Sequence, residues 1–540
     1  MAKEIVILTG PVSSGKSTLS NFLVGRFGFH PFKTKEWLAQ HAGPEIMARG
    51  AMQQFGESLD IKTNGTWVRD ALGRYIGSLD SEANIVVDAA RISQQIEAIR
   101  NTFTTRVVHI HLTAPSEVLA KRYKRRPSKG FKEFSTYEEV TKNKTESEIE
   151  DLALIADVVI NTDLCTKEDV FVRAAAHLGL YGREYSRLVD VIIGGQYGSE
   201  GKGHIVSYLS GEYDILIRVG GPNAGHTVYK EPKPYTYHQL PSGTLSSEAN
   251  LIIGPGAVIN ANELLKEIAD CQIDFKRLSI DPQVMIIEQR DVNTEKALVK
   301  DIASTGRGVG AASARRILGR GKESGKNRVR LARDIKALKP FVRDTHEILE
   351  DALATGKRIL LEGTQGTGLS LYHGNYPHVT SRDTTVAGCL AEAGISASRV
   401  RKIIMICRTY PIRVGNAPTT GKTSGYMSQP ISWAEVSRRS EIPVRELYRK
   451  ERTSTTKRER RVGEFDWALL RKAASLNGPT DIALTFADYI TIKNRSARRL
   501  EQLSEETIQF IEEVERVTAA PVSLISTRFH SRSIIDRRAW

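Results

Sequence analysis

Val189-Asp190-Val191-Ile192-Ile193-Gly194-Gly195-Gln196-Tyr197-Gly198-Ser199-Glu200-Gly201-Lys202-Gly203 decides the fold of most of this chain. A β-branched apolar run that enters a glycine-rich turn with one lysine is how a buried parallel strand brings backbone amides close to phosphate oxygens. It is not a Walker A loop, because the Gly-Lys pair is followed by Gly203 and not by Ser or Thr. A second such junction lies far upstream. Glu4-Ile5-Val6-Ile7-Leu8-Thr9 reads as a buried strand, and Gly10-Pro-Val-Ser-Ser-Gly15-Lys16-Ser17-Thr18 is a full GxxxxGKS match with helical spacing after it. Gly10 and Gly15 shape the turn, and Lys16 is expected at the β and γ phosphates. The hydroxyl of Ser17, next to Thr18, is expected on Mg²⁺.

Two phosphate loops on one chain of 540 residues imply two domains, each long enough to bury a core of its own. Both are expected to be α/β, with a mostly parallel sheet and helices on both faces. Leu178 to Leu188 is a short mixed segment with two glycines, so the domains are drawn as 1–180 and 189–540. The composition is that of an ordinary globular protein, 40% hydrophobic and 26% charged, and no segment reaches the ~18 consecutive apolar residues of a spanning helix. Met1-Ala-Lys-Glu turns at once into a strand, so it is not read as a signal peptide. The four cysteines are scattered with no CxxC pair, which argues against a zinc site and fits a reducing cytoplasm. Net charge is +14, from 77 basic and 63 acidic residues, as suits a protein that handles several phosphates and an acidic substrate. The densest basic run, Lys457 to Arg461, has no interleaved aromatics, so neither nucleic acid nor membrane is expected as a partner.

In the first domain, Ala83-Asn-Ile-Val-Val-Asp88 is a strand that ends in a carboxylate, with Arg91 placed to grip an acceptor phosphate. Arg122, Arg125 and Arg126 follow the strand Arg106–Leu112 at the spacing of a lid, although such a run also suits a solvated helix face. A last strand, Ala156–Asn161, precedes a helix from near Lys167. These parts, in this order, resemble a (deoxy)nucleoside monophosphate kinase.

From Val189 onward the resemblance is closer. GGQYGSEGKG is followed by Arg218-Val-Gly-Gly-Pro-Asn223-Ala-Gly225-His226-Thr227, His238-Gln-Leu-Pro-Ser242-Gly243 and Ser304-Thr305-Gly306-Arg307-Gly308-Val-Gly310. Then come Glu362-Gly-Thr-Gln365-Gly366-Thr367, His373-Gly-Asn-Tyr-Pro377, Thr455-Thr456-Lys-Arg458-Glu-Arg460-Arg461 and Ile525-Ser526-Thr527-Arg528. This ordered set resembles the adenylosuccinate synthetases. The resemblance implies a ligase that phosphorylates a 6-oxopurine monophosphate on O6 from a nucleoside triphosphate, then displaces that phosphate with the amino group of L-aspartate. It implies His226 as the acid on O6, Lys202 with Gly198, Gly201 and Gly203 on the donor phosphates, and the Gly225 carbonyl on Mg²⁺. Asn223, Thr305, Gly306, Gln365 and Thr380 would hold the nucleotide's phosphate and base, Asp488 would recognise the donor base, and Ser526 would join the nucleotide- and phosphate-binding residues. Thr455, Thr456, Arg458 and Arg460 would close on aspartate, two guanidinium forks suiting a dicarboxylate. Family members are homodimers, and Arg316 or Arg320 matches the arginine that reaches the partner's nucleotide.

The chain departs from the family pattern in four places. Ser199 stands where the family has an aspartate that takes the purine N1 proton. Phe486 replaces a lysine in the donor-base motif Leu484-Thr485-Phe486-Ala487-Asp488, which leaves ATP, dATP or GTP open as donor. Ser381-Arg382-Asp383 replaces a more neutral triplet beside the nucleotide, and the region after Asp488 is compressed. These departures resemble the phage-type branch that makes 2-aminoadenylosuccinate from dGMP, since a small neutral serine leaves room for the 2-amino group. An IMP-using enzyme and a catalytically reduced nucleotide sensor remain as alternatives.

Overall fold

The computed structural model describes residues 2–41, 49–79, 82–125, 136–141, 149–181, 186–321, 328–417, 419–452, 458–530 and 532–539. Arg126, Thr455 and Thr456 lie outside the described residues. The chain divides into two compact units, Met1–Arg183 and Glu184–Trp540.

The first unit is built on five parallel strands in the order His30–Lys33, Ala83–Asp88, Ala2–Thr9, Arg106–Thr113, Val158–Asn161. Alternation along the central strand assigns the two faces. Ile5 and Ile7 pack with Trp67, Val68 and Leu72 of the helix Thr66–Gly77 and with Ile96 and Ile99 of Ser93–Thr102. Val6 and Leu8 pack on the other side, with Leu19 and Leu23 of Lys16–Phe27 and Val170 and Ala174 of Lys167–His177. The last strand starts two residues later than its apolar run predicts. Asp157 turns its carboxylate back to the amide of His109 (2.7 Å) and to Arg100 (2.8 Å), and so ends the turn before the strand.

The second unit has nine strands in the order Leu278–Ile280, Asn250–Ile253, Ile215–Arg218, Ile359–Glu362, Val189–Gly194, Val400–Arg408, Asp481–Thr485, Val522–Ser526, Ile534–Asp536, parallel throughout except for the last. Val189–Gly194 is buried at every position because the sheet is covered on both sides. Val189, Val191 and Ile193 meet the helices Thr345–Ala354, Val386–Ala393, Trp467–Asn477 and Glu505–Thr518. Ile192 faces the opposite layer, which contains Lys202–Leu209 and Ala261–Asp270. A small antiparallel sheet, Ile412–Val414, Arg460–Gly463 and Pro430–Ile431, carries Arg460. After Asp488 the chain makes two short 3-10 turns, Ile492–Ser496 and Leu500–Gln502, before the helix from Glu505. All four cysteines are free thiols. Among the described residues no helix is long and apolar enough to cross a membrane.

Candidate active site

In parallel α/β sheets ligands collect at the carboxyl ends of the strands. Six adjacent strands of the second unit deliver their chemistry there. Val189–Gly194 leads into the glycine loop, Ile215–Arg218 into the turn that ends at His226, and Ile359–Glu362 into Gln365. Arg408 ends the next strand, Phe486 and Asp488 follow Asp481–Thr485, and Ser526 closes Val522–Ser526.

Gly198 (φ +101°) and Gly201 (φ +87°) take a left-handed backbone that a side chain would strain. A Cβ on Gly203 would come within 2.9 Å of His226 Cβ, so this glycine lets the helix Lys202–Leu209 start against the histidine. The inside of the loop is already occupied. The Glu200 carboxylate accepts from the amides of Gln196 (3.1 Å) and Gly198 (2.6 Å), and Lys202 Nζ donates to Glu200 (2.7 Å) and to the Gly198 carbonyl (3.0 Å). Lys202 is therefore not the open phosphate hook that its sequence context implies, since its ammonium is buried against Glu200. No side chain caps the helix that Lys202 begins, so its first amides are the ones presented to an anion. Ser199 is half-buried, and its carbonyl accepts from Arg408 (3.2 Å).

His226 is buried beside this helix, with Nδ1 hydrogen-bonded to Glu362 Oε1 and Ser242 Oγ 3.4 Å away. Glu362 also accepts from the amide (2.7 Å) and hydroxyl of Ser242, and Arg218 lies 3.9 Å from it. Burial raises the Glu362 carboxyl, but Arg218 and the His226 bond outweigh it and hold it down at about 2. Burial, helped by Arg218, lowers His226 to about 4 against the pull of Glu362. The resting dyad is thus a carboxylate accepting Nδ1–H from a neutral imidazole, whose Nε2 is buried with no partner among the described residues. Arg218 also donates to the carbonyls of Ala224 (2.7 Å) and Leu240 (3.1 Å), which fixes the turn before Gly225 and His226.

The nucleotide residues expected from the sequence are partly brought together. Gln365 (φ +58°) donates from Nε2 to Asn223 Oδ1 (2.9 Å), and Asn223 Nδ2 reaches Thr380 Oγ1 (3.5 Å). The Ser304–Gly310 loop adjoins them, since a Cβ on Gly310 would stand 3.0 Å from Ser381 Cβ. Gly306 is left-handed (φ +61°), and its amide donates to Ser304 Oγ (3.3 Å), with Thr305 part-exposed beside it. Glu295 caps the helix Val309–Leu318 through the amides of Gly308 (2.7 Å) and Gly310 (2.6 Å). Of the two arginines weighed for a dimer contact, Arg316 donates to the Pro255 carbonyl (3.1 Å) and Arg320 to that of Ile317 (2.9 Å).

Arg408, which the sequence reading passed over, joins the remaining parts. It is fully buried, donates to Ser199 O and to Glu451 Oε1 (3.0 Å), and covers the Phe486 ring at 4.0 Å. Glu451 also accepts from Tyr489 (2.6 Å) and Arg460 (3.2 Å). Burial raises its pKa, but Arg408 and Arg460 bring it down to about 2. Arg460, expected to stand ready for aspartate beside Arg458, is thus held from below by a buried carboxylate, because two arginines this close could not be buried without one. Asp488 pairs through Oδ2 with Arg495 (3.0 Å). Its Oδ1 is buried without a partner among the described residues, and burial pushes the carboxyl up to about 6. Ser526 Oγ donates to the Arg528 carbonyl (3.1 Å).

In the first unit Gly10 (φ +133°) and Gly15 (φ +105°) form the loop. A Cβ on Gly10 would sit 2.0 Å from the Leu112 carbonyl, which explains the glycine. Lys16 Nζ folds onto the carbonyls of Gly10 (2.6 Å) and Pro11 (2.9 Å), and Ser17, beside Thr18 at the helix start, donates to Asp88 (3.2 Å). The Arg91 amide donates to Gln95 (2.8 Å). Arg122 does not extend as a lid: its guanidinium binds the hydroxyl (2.8 Å) and carbonyl (2.9 Å) of Thr162. Behind the loop His109 and His111 share the Thr9 hydroxyl at 2.6 and 2.9 Å, and burial drives both imidazoles down to about 4.

A doubly wound sheet with this convergence of amides, guanidinium groups and a His–Glu dyad defines an α/β enzyme of nucleotide and phosphate chemistry. The chain belongs to the adenylosuccinate synthetase family, whose model matches residues 191–326 and 322–495. It is 38% identical over 357 residues to the adenylosuccinate synthetase of Methanocaldococcus jannaschii, covering 64% of this chain and 96% of the relative. It is 36% identical over 360 residues to that of Pyrococcus horikoshii, covering 64% and 98%. Among solved structures, cyanophage S-2L succinoaminodeoxyadenylate synthetase (PurZ), bound to dGMP and dATP as an energy donor, is 28% identical, covers 66% of this chain and 96% of its own, and gives a TM-score of 0.54. The Plasmodium falciparum adenylosuccinate synthetase, 20% identical with a TM-score of 0.54 over 65% and 100%, shares the fold. The second unit is an adenylosuccinate synthetase-like ligase.

Proposed function

We propose that the second unit joins L-aspartate to C6 of a 6-oxopurine monophosphate, with dGMP or GMP preferred, at the expense of a nucleoside triphosphate. We further propose that the first unit is a (deoxy)nucleoside monophosphate kinase. The observation that carries the ligase reading is the buried His226–Glu362 dyad, packed against Gly203 of the glycine loop, with Nε2 buried and unpartnered among the described residues. Ser199 offers no base near neutrality. The proton that leaves the purine is then taken by His226 Nε2, and the imidazolium so formed donates a hydrogen bond to O6 while Glu362 balances its charge. O6 bonds to the γ-phosphorus as the nucleoside diphosphate leaves. The aspartate amine then bonds to C6 as phosphate departs with O6 and the C6–O6 bond electrons. The phosphate takes the proton held on His226 Nε2, which returns the imidazole to its neutral form, and the proton lost by the amine passes to solvent. Arg460, backed by Glu451, and Arg458 suit the two carboxylates of aspartate.

Ser199 and the 28% likeness to a synthetase solved with dGMP and dATP support a 2-amino-6-oxopurine substrate and an adenine donor. The 38% identity to an archaeal adenylosuccinate synthetase supports IMP as a second reading. In the first unit the side-by-side oxygens of Ser17 and Asp88 are hard ligands that fit Mg²⁺. In the second unit the Gly225 carbonyl would hold it, and bound Mg²⁺ would neutralise donor phosphate charge. The full chain given ATP, dATP or GTP with aspartate and each of IMP, dIMP, GMP and dGMP, with products identified by mass, tests the substrate. A product from IMP alone overturns the dGMP reading. The absence of diphosphate from every (d)NMP, with ATP and no aspartate, overturns the kinase reading.

A further inference from the structure

Asp60 lies near the end of the helix Arg49–Thr63 in the first unit, half-buried and away from the phosphate loop in sequence. Its Oδ1 accepts from the indole nitrogen of Trp67 (2.6 Å) and from Nε2 of Gln95 (2.8 Å). Gln95 is buried at the third position of the helix Ser93–Thr102 and accepts through Oε1 from the amide of Arg91 (2.8 Å). A Gln at that position commonly closes on the amide of the residue just before the helix. Here it reaches one residue further back, into the turn that carries Arg91. Gly65, left-handed at φ +74°, lets these elements meet, since a Cβ there would stand 3.0 Å from Gln94 Cβ and from the Gln95 amide nitrogen.

The two partners of Gln95 decide which way its amide faces. A backbone N–H only donates, so Arg91 takes the oxygen. Asp60 Oδ1, which already accepts from an indole N–H, takes the NH₂ end. The reversed amide would set N–H against N–H and oxygen against oxygen. The turn so held is also fixed elsewhere. Thr34 donates to the Ala89 carbonyl (3.0 Å), and Asp88 at its start accepts from Ser17 (3.2 Å). The segment Asp88–Arg91 is therefore clamped at three points, with the metal-side oxygens of Asp88 and Ser17 at one end and Arg91 at the other. Glu57 and Arg91 are the other charges that act on Asp60, in opposite directions.

Resting on the reading of the first unit as a (deoxy)nucleoside monophosphate kinase, we propose that Asp60 and Gln95 are positioning residues for the acceptor. They set the turn so that the Arg91 guanidinium meets the acceptor phosphate while Asp88 stays beside Ser17. In that reaction an oxygen of the acceptor phosphate bonds to the γ-phosphorus of the donor as the nucleoside diphosphate leaves with the bond electrons.

The test uses the full chain with ATP, without aspartate, and with whichever of dAMP, dGMP, dCMP and dTMP the wild type phosphorylates fastest. Gln95→Leu and Asp60→Leu each break the link, while Asp60→Asn keeps an oxygen for both donors. Both Leu variants are expected to lose at least tenfold in kcat/KM for the acceptor with the KM for ATP within threefold of wild type. Asp60→Asn is expected to lose less than threefold. An acceptor kcat/KM unchanged in Gln95→Leu overturns the proposal, as does a KM for ATP that rises as much as that for the acceptor. Should the Leu variants not fold, Gln95→Glu decides. At pH 8 its carboxylate opposes that of Asp60 and the rate falls. At pH 6 a protonated carboxyl can donate to Asp60 and accept from Arg91, so the deficit relative to wild type is expected to shrink at least threefold. A deficit that is absent, or the same at both pH values, overturns the proposal. Wild-type protein that forms no diphosphate from any of the four acceptors would instead overturn the kinase reading on which it rests.

Discussion

Replacing Glu362 by Gln probes the central dyad with almost no change of volume. In the wild type the carboxylate receives Nδ1–H of His226 and two bonds from Ser242, all buried. If His226 becomes an imidazolium during the reaction, Glu362 is its counter-charge. A unit pair about 4 Å apart at an effective dielectric near 20 is worth roughly 4 kcal/mol. The Gln carbonyl still accepts from Nδ1, so roughly 2–3 kcal/mol is lost, a fall in kcat of roughly 30- to 150-fold. The sign of the pH effect separates mechanisms. His226 already sits low, at about 4, and losing the anion that raises it lowers it further. It is therefore neutral throughout pH 6–8 in both proteins, and the deficit is expected to be constant over that range. The assay is steady-state formation of the succinylated nucleotide at saturating substrates from pH 6 to 8. A fall of less than threefold refutes the counter-charge role. A deficit that shrinks as pH is lowered would mean that the histidine enters the reaction already protonated, and would sink the proton-acceptor step.

Ser199→Asp is expected to shift the kcat/KM ratio of dGMP to IMP toward IMP by about tenfold, the scale of one misplaced polar group in a tight site, as read by competition between the two nucleotides. Glu451→Gln leaves Arg408 and Arg460 buried together without their carboxylate, and chemical denaturation should record a loss of about 3–5 kcal/mol. Lys16→Met should lower diphosphate formation from (d)NMPs by at least about 10², measured on the full chain without aspartate. His109 and His111 have folded pKa values depressed to about 4 from 6.5, so the unfolded chain binds more protons between those values and stability falls as pH falls through that window. At pH 5 each histidine has cost about 2 kcal/mol relative to pH 7, and calorimetry should show the melting of the first unit move down accordingly, with His109→Asn flattening the trend.

The two strand-to-glycine junctions are legible because their physics is local: an unbroken β-branched run must be buried, and the turn after it needs left-handed residues at Gly10, Gly15, Gly198 and Gly201. The cluster of Asn223, Gln365 and Thr380 was accessible through motif order. What the chain hides is the pairing of charges. Glu362 meets His226 across 136 residues, and Arg408 meets Ser199 across 209, so no spacing rule links them. The one signal for Glu362 was its place, a carboxylate at the end of an apolar strand. Lys202 and Arg460 read as ligands of phosphate and of aspartate because their motifs show the cation and not the buried carboxylates, Glu200 and Glu451, that the fold brings underneath. Arg122 likewise reads as a lid residue until Thr162 is seen beneath it.

The Glu200 side chain has a consequence for how this protein meets its donor. By filling the loop with its own carboxylate, the chain makes a permanent internal stand-in for an anion and freezes the turn whether or not a nucleotide is near. The conformational entropy of six loop residues, on the order of 1 kcal/mol or more for each backbone fixed, is surrendered when the chain folds and not when the donor arrives. Donor capture at this edge should therefore be nearly rigid-body, with a small heat-capacity change and an association rate governed by encounter alone.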